Sequence, residues 1–332
     1  IEIRYLILTF KIMKRILLTG GSDFIGSHIL RSLVKEGYFV RVFDVKENSA
    51  NKNIKNYEYF EGDITSDISI NHALENIDIV LHLAAIVSSS SSKTYFRINS
   101  EGTNKLARAS EAHNIERFVF ISSMSAAGPS KDNKNNETSE CKPANYYGQS
   151  KLKAEEYLKE TSNLDYVILR PSAVYGPGAY DTIPLFKLMD ANIDINFLGH
   201  SPKFKMVYID DFVRAVITAI KSDNVSKKTY FIAHPEIIDD VKISKVLKLA
   251  FEKRFMFPIF VPKFLIKFLG CMGNLSSKTL KINPFINSDK VKDLLGDWVY
   301  SSKSFINDTD FQYKIGYKVG MKRTVRWYKE DR

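Results

Sequence analysis

Five short apolar runs constrain this chain more than any other feature: RILLT (15–19), FVRVFDV (39–45), DIVLHLA (78–84), RFVFIS (117–122) and YVILRP (166–171). They are rich in β-branched and aromatic residues and mostly lack polar alternation, as expected of strands buried on both faces. Amphipathic stretches lie between several of them. In FIGSHILRSLVKEG, Ile25, Ile29 and Leu33 recur every four residues before Gly37 stops the pattern. NSEGTNKLARASEAHN (99–114) and YGQSKLKAEEYLKETS (147–162) also read as helices. Strands alternating with helices imply an α/β fold, a doubly wound parallel sheet with right-handed crossovers. Ligands bind such sheets beyond the carboxyl ends of the strands.

At that end of the first strand the sequence runs RILLTGGSDFIGSHIL, a glycine turn between strand and helix. Amide groups at a helix N-terminus attract a pyrophosphate, so Gly20, Ser22, Asp23, Phe24, Ile25 and Gly26 are candidate cofactor contacts. Asp44 ends the second strand, where a carboxylate accepts bonds from the adenosine ribose hydroxyls and favours NAD over NADP. Asp63 and Ile64 follow the next apolar stretch and are expected near the adenine. Asp23 is the anomaly. Two unit charges about 4 Å apart repel by roughly 1 kcal/mol in water and about 4 at an effective dielectric near 20, so Asp23 either opposes a pyrophosphate or turns away to cap the following helix. Replacing it with glycine is expected to leave the fold intact and tighten cofactor binding.

From about residue 14 to 330 the chain resembles the extended short-chain dehydrogenase/reductase family, also called the NAD-dependent epimerase/dehydratase family. The family loop reads T-G-x-x-G-x-x-G; Thr19, Gly20 and Gly26 match, and Asp23 replaces the middle glycine. LHLAA (81–85), NSEGT (99–103), FISSMSAAG (120–128), YGQSK (147–151), LRPSAVYGPG (169–178) and the terminal GMKRTVRWYKE are similar to family segments. The resemblance implies an NAD-binding Rossmann domain over 13–171 and a smaller, mainly substrate-binding lobe over 172–332, with about 205–222 returning to the first domain. Residues 1–12 are read as an extension outside the fold. Leu83, Ala84, Ala85, Asn99 and Pro171 are further implied cofactor neighbours. A homodimer is implied too, through helices near 98–113 and 147–162.

Tyr147 and Lys151 are four apart in a helical pattern and share one face. A free tyrosine has a pKa near 10; a neighbouring ammonium, with the positive nicotinamide, favours the phenolate. The resemblance assigns Tyr147 as general acid/base, Lys151 also to the nicotinamide ribose, and Ser123 to a hydrogen bond with the reacting oxygen. Ser122 is the alternative to Ser123 if the register slips by one. Asn99 is a structural asparagine, and Tyr146 is expected to pack rather than react.

Other chemistries find little support. The six histidines show no ligand spacing, so no metal is expected, and no G-x-S-x-G elbow surrounds a serine. The net charge of +10 comes from scattered lysines rather than like-charge runs, and no nucleic acid is expected. Cys141 and Cys271 show no disulfide pattern, which fits a reducing, cytoplasmic setting. FMFPIFVPKFLIKFLGCMG (255–273) is broken by two prolines and two lysines. It does not read as a bilayer span but as a helix covering a pocket, with peripheral membrane contact the alternative. The polar loop 128–145 is either a flap or a surface connection.

The net reaction is less constrained. Nucleotide-sugar relatives commonly carry Asn in the segment after the Arg of RPSAVYGP, where this chain has Ala173, and Arg before a YVDD-like segment, where it has Phe204 between Lys203 and Lys205. A diphosphate lacking both anchors is poorly held. The expectation is therefore hydride transfer between nicotinamide and a secondary alcohol or ketone. A nucleotide-sugar epimerase or dehydratase that uses the lysines instead is the competing reading, and a non-catalytic NAD sensor a third.

Overall fold

In the computed structural model, residues 13–89, 91–130, 135–198, 201–280 and 288–331 are described. The expected extension, 1–12, lies outside them. Among the described residues eleven strands run, in order, β1 (Arg15–Thr19), β2 (Phe39–Asp44), β3 (Tyr57–Glu61), β4 (Ile79–His82), β5 (Arg117–Ile121), β6 (Tyr166–Pro171), β7 (Ala173–Tyr175), β8 (Ile193–Leu198), β9 (Met206–Tyr208), β10 (Lys228–Ile232) and β11 (Phe257–Pro262). Seven form one parallel sheet in the order β10-β6-β5-β4-β1-β2-β3. The central strands are the runs read from sequence, and β4, β5 and β6 are buried at every position. The fold class is α/β with a doubly wound sheet, as the strand–helix alternation implies.

The two faces carry separate cores. Ile16, Leu18, Val40 and Val42 pack with Ile29 and Leu33 on one face. Leu17, Phe118, Phe120 and Ile168 pack with Leu106, Ala154 and Leu158 on the other. This is the period-two division of a strand buried on both sides. Helix Ile209–Lys221 lies over the first face beside helix Phe24–Lys35. Beyond 205–222, β10 also joins the sheet, at its edge beside β6.

The other elements form β7–β9 and β8–β11 pairs, with helices packed around them. The apolar stretch 255–273 splits at its prolines into β11 and the helix Lys263–Leu280. Neither lines the main cleft, so the expected pocket-covering helix is not found. Among the described residues no helix is long and apolar enough to cross a membrane, and no cluster of His, Cys, Asp and Glu could hold a metal ion. Described parts of the 128–145 loop are pinned to 297–304. Ser130 N–H donates to the Asp297 carbonyl at 2.7 Å, the Tyr300 hydroxyl to the Gly128 carbonyl at 2.6 Å, and the Ser304 hydroxyl to Glu137 at 2.8 Å.

Candidate functional site

A cleft of about 1280 Å³ opens at the carboxyl ends of the parallel strands. Its first half is made by the β1 turn. Gly20 has φ +72°, and a Cβ there would sit 2.8 Å from the Ala84 amide nitrogen. A Cβ on Gly26 would sit 2.2 Å from the Gly20 carbonyl oxygen. Both glycines let helix Phe24–Lys35 and the segment after β4 close on the turn, leaving the helix's first amides facing the cleft. Asp44 fixes the turn from β2, accepting from the Ser22 amide at 3.2 Å and the Val45 amide at 2.9 Å. A backbone cradle at a helix N-terminus with a carboxylate at the end of the second strand fits a dinucleotide.

Asp23 is the discordant group. It occupies the N-cap position of helix Phe24–Lys35, but its side chain makes no capping bond. It lines the cleft instead. Burial, and then the Asp44 carboxylate, raise its pKa. The capping alternative is therefore not what the side chain does, and the Asp23 carboxylate lies within reach of the Asp44 charge in this half of the cleft.

Gly20, Phe24, Ile25, Gly26, Asp44, Asp63, Ile64, Leu83, Ala84, Ala85 and Pro171 line the same cleft as Ser123, Tyr147 and Lys151. Two expected contacts do not. Ser22 lies behind the turn with its hydroxyl buried and unpartnered. Asn99 is fully buried; it exchanges hydrogen bonds with the Ile86 backbone at 2.8 and 3.0 Å and donates to the Ser150 hydroxyl at 2.9 Å. That geometry matches a structural asparagine.

The adjacent serines divide cleanly. Ser122 donates to Glu155 at 2.6 Å, and Glu155 also receives Arg170 at 2.9 and 2.6 Å. Its hydroxyl is committed to a buried ion pair. The Ser123 hydroxyl accepts the Ser125 amide at 3.1 Å, lies at the cleft surface and hydrogen-bonds with the Tyr147 phenol.

Asn145 starts the next helix by accepting the Gly148 amide at 2.7 Å. Tyr147 then faces the cleft in the first turn, while Tyr146 points outward and is 48% exposed rather than packed. One turn on, Lys151 is buried and donates from Nζ to the Ile121 carbonyl at 2.9 Å. Burial pushes the Lys151 pKa down to about 7, partly opposed by Glu155. Burial pushes the Tyr147 phenol up to about 12, with the Ser123 hydroxyl acting in the opposite direction and the Asp293 carboxylate adding to the rise. The expected phenolate rests on Lys151 together with the positive nicotinamide; among the groups of the chain itself, desolvation is the largest influence on Tyr147.

The second half of the cleft comes from distant segments. Ala173 and Gly178–Thr182 form one wall, Phe204 and Lys205 another, and Asp293, Leu294 and Trp298 a third. The third wall was not read from sequence, because KDLLGDW (292–298) carries no spacing that marks a site. Asp293 accepts two bonds from the Asn145 amide, at 2.8 and 2.7 Å. Lys203 is exposed outside the cleft. Lys205 lines it, donating to the Tyr300 carbonyl at 3.0 Å. Burial and then the Lys303 charge lower its pKa. Among the described residues neither lysine has a carboxylate partner.

Residues 16–233 match the profile of the NAD dependent epimerase/dehydratase family. The chain belongs to that family. Human dTDP-D-glucose 4,6-dehydratase is 28% identical over 341 aligned residues, covering 96% of this chain and 91% of that protein. An uncharacterized Sinorhizobium fredii protein is 35% identical over 215 residues, 63% of this chain, which spans only 54% of that protein's length. In fold the chain is similar to a Thermotoga maritima UDP-glucose 4-epimerase solved with UDP-glucose. That match has a TM-score of 0.78 and 22% identity, covering 96% of this chain and 99% of that one.

Proposed function

We propose that this epimerase/dehydratase family member acts on a nucleotide sugar, moving a hydride between a sugar secondary alcohol and bound NAD. The single observation that carries this reading is Lys205, a half-buried cation that lines the substrate half of the cleft and, among the described residues, has no carboxylate partner. A cation held in a cleft without a counter-charge favours an anionic ligand, and a diphosphate matches that demand. The full-length likeness to a dTDP-D-glucose 4,6-dehydratase supports it. The simple alcohol–ketone reading gains from the apolar wall of Phe204, Leu294 and Trp298, but gives Lys205 no task.

NAD, when bound, supplies the hydride acceptor and a positive charge. Gly20, Phe24, Ile25, Gly26 and Asp44 would hold it, with Lys151 toward its ribose. Ser123 would donate to the reacting oxygen and fix its lone pairs. Tyr147 would take the alcohol proton as hydride leaves and return it to the carbonyl when hydride comes back. At a pKa of about 12 Tyr147 is a ready donor, and cofactor charge is what makes it a base. Inversion and loss of water share this first hydride step, and the substrate walls offer the Asp181 and Asp293 carboxylates to either. The protein is also proposed to be a homodimer through the faces of Gly102–Ala112 and Tyr146–Lys159, giving twice the chain mass in solution.

The test offers dTDP- and UDP-hexoses to protein with its own bound cofactor and follows products by NMR. A C4 epimer without external NAD supports inversion, and a 4-keto-6-deoxy sugar replaces it with dehydration. No sugar turnover, with reduction of apolar ketones by added NADH, overturns the nucleotide-sugar reading.

A further inference from the structure

Residues 253–288 contain no Asp or Glu, but hold Lys253, Arg254, Lys263, Lys267, Lys278 and Lys281. The same stretch exposes the largest apolar side chains on the molecule. Phe255, Phe257, Phe260, Phe264 and Phe268 are 67, 63, 60, 73 and 58% exposed, and Met272 is 49% exposed. Soluble proteins rarely leave so much contiguous apolar surface uncovered without a partner. The surface has an order. β11 presents Phe257, Ile259 and Phe260 on both of its faces, and among the described residues it pairs on one edge only, with β8. In the following helix, Ile266 and Gly270 are buried one turn apart. Phe264, Phe268 and Met272 form an exposed stripe at i, i+4 and i+8, with Lys263 and Lys267 in the stripe beside it. Lys253 pairs with Asp190. Arg254, Lys263 and Lys267 are exposed and, among the described residues, have no carboxylate partner.

We propose that β11 and the helix Lys263–Leu280 form a docking surface for an anionic lipid membrane, Phe257, Phe260, Phe264 and Phe268 entering the interface and Arg254, Lys263 and Lys267 meeting headgroup phosphates. Charge selects the occupant. A second copy of this chain would bring the same acid-free, cationic surface against itself, whereas an anionic leaflet is complementary to it. Aromatic side chains over a helix carrying lysines are the composition of an interfacial element, and the helix is too polar to span. It packs on the helix Ser288–Leu295, whose Val291, Asp293 and Leu294 line the cleft, so the docked face lies one helix from the substrate.

Co-sedimentation of the full chain with phosphatidylcholine vesicles, with and without phosphatidylserine, tests this. Binding is expected to the phosphatidylserine vesicles only and to fade at high salt. Lys263→Gln with Lys267→Gln is expected to weaken it roughly 30-fold, from about fivefold per charge. Phe264→Ser with Phe268→Ser is expected to abolish it while NAD titration and the melting temperature stay unchanged. No binding to anionic vesicles overturns the proposal, as does binding that neither double variant alters. A phenylalanine variant that halves the solution mass, in a protein that ignores vesicles, also overturns it and assigns the face to a contact between copies.

Discussion

The two halves of the cleft are built on different principles. The half proposed for the cofactor sits mainly on the ends of adjacent parallel strands and the turns that leave them, with Lys151 reaching in from the helix Tyr146–Lys159. The substrate half is assembled from 173–182, 204–205 and 291–298, which meet only in the folded chain. Strand ends are fixed by a buried seven-stranded sheet. The loops facing them are free to differ, so on the proposed function the first half sets the chemistry and the second its substrate.

The sharpest way to break that comparison is to damage the frame beneath the rigid half. Glu155 and Arg170 are 0 and 3% exposed and also hold Ser122. Glu155→Ala strands a buried guanidinium and is expected to cost about 3–5 kcal/mol in denaturant unfolding. A loss below 1 kcal/mol would show that the frame tolerates local change. Lys151 offers a second route. Its folded pKa, about 7, lies below the ordinary 10.5, so the unfolded chain binds its proton more tightly. Stability is therefore lost as pH falls from about 10.5 to about 7, and the deficit is constant below that. Lys151→Met is expected to raise the melting temperature at pH 7 relative to the parent, with the gap closing toward pH 10.5, although turnover falls.

The substrate half answers to smaller changes. Lys205→Ala is expected to raise KM for a nucleotide sugar about tenfold, the value of one charge-assisted bond, with kcat and NAD affinity nearly unchanged. An equal fall in kcat would move Lys205 into the reacting half. Asp23→Asn is the smallest expected effect. Removing that charge beside Asp44 is expected to tighten NAD at least about fivefold. In the parent, affinity is expected to improve as pH falls, because the raised Asp23 pKa favours its neutral form. Isothermal titration across pH reads both.

The same contrast explains what the sequence disclosed. The runs at 15–19, 79–82, 117–121 and 166–171 were legible because parallel strands buried on both faces leave unbroken apolar stretches, and the Tyr147–Lys151 spacing because a helix repeats every 3.6 residues. β3, YEYFE, was not named as a strand: it lies at the sheet edge, is only half-buried and keeps two glutamates. Asp293 and Trp298 were missed because their position depends on how Ser288–Leu295 packs, which no local pattern encodes. The shifts at Tyr147 and Lys151 were out of reach for a related reason: spacing supplied the lysine's proximity, but only the folded cleft shows how far both groups are desolvated.

The proton role of Tyr147 is the claim on which the rest depends, and Tyr147→Phe measures it directly. Alongside the parent, NAD affinity is taken by titration and turnover by product NMR on whichever sugar nucleotide the parent converts. The account predicts turnover lowered by about 10²–10⁴-fold with NAD affinity preserved. Turnover within a few-fold of the parent would contradict it.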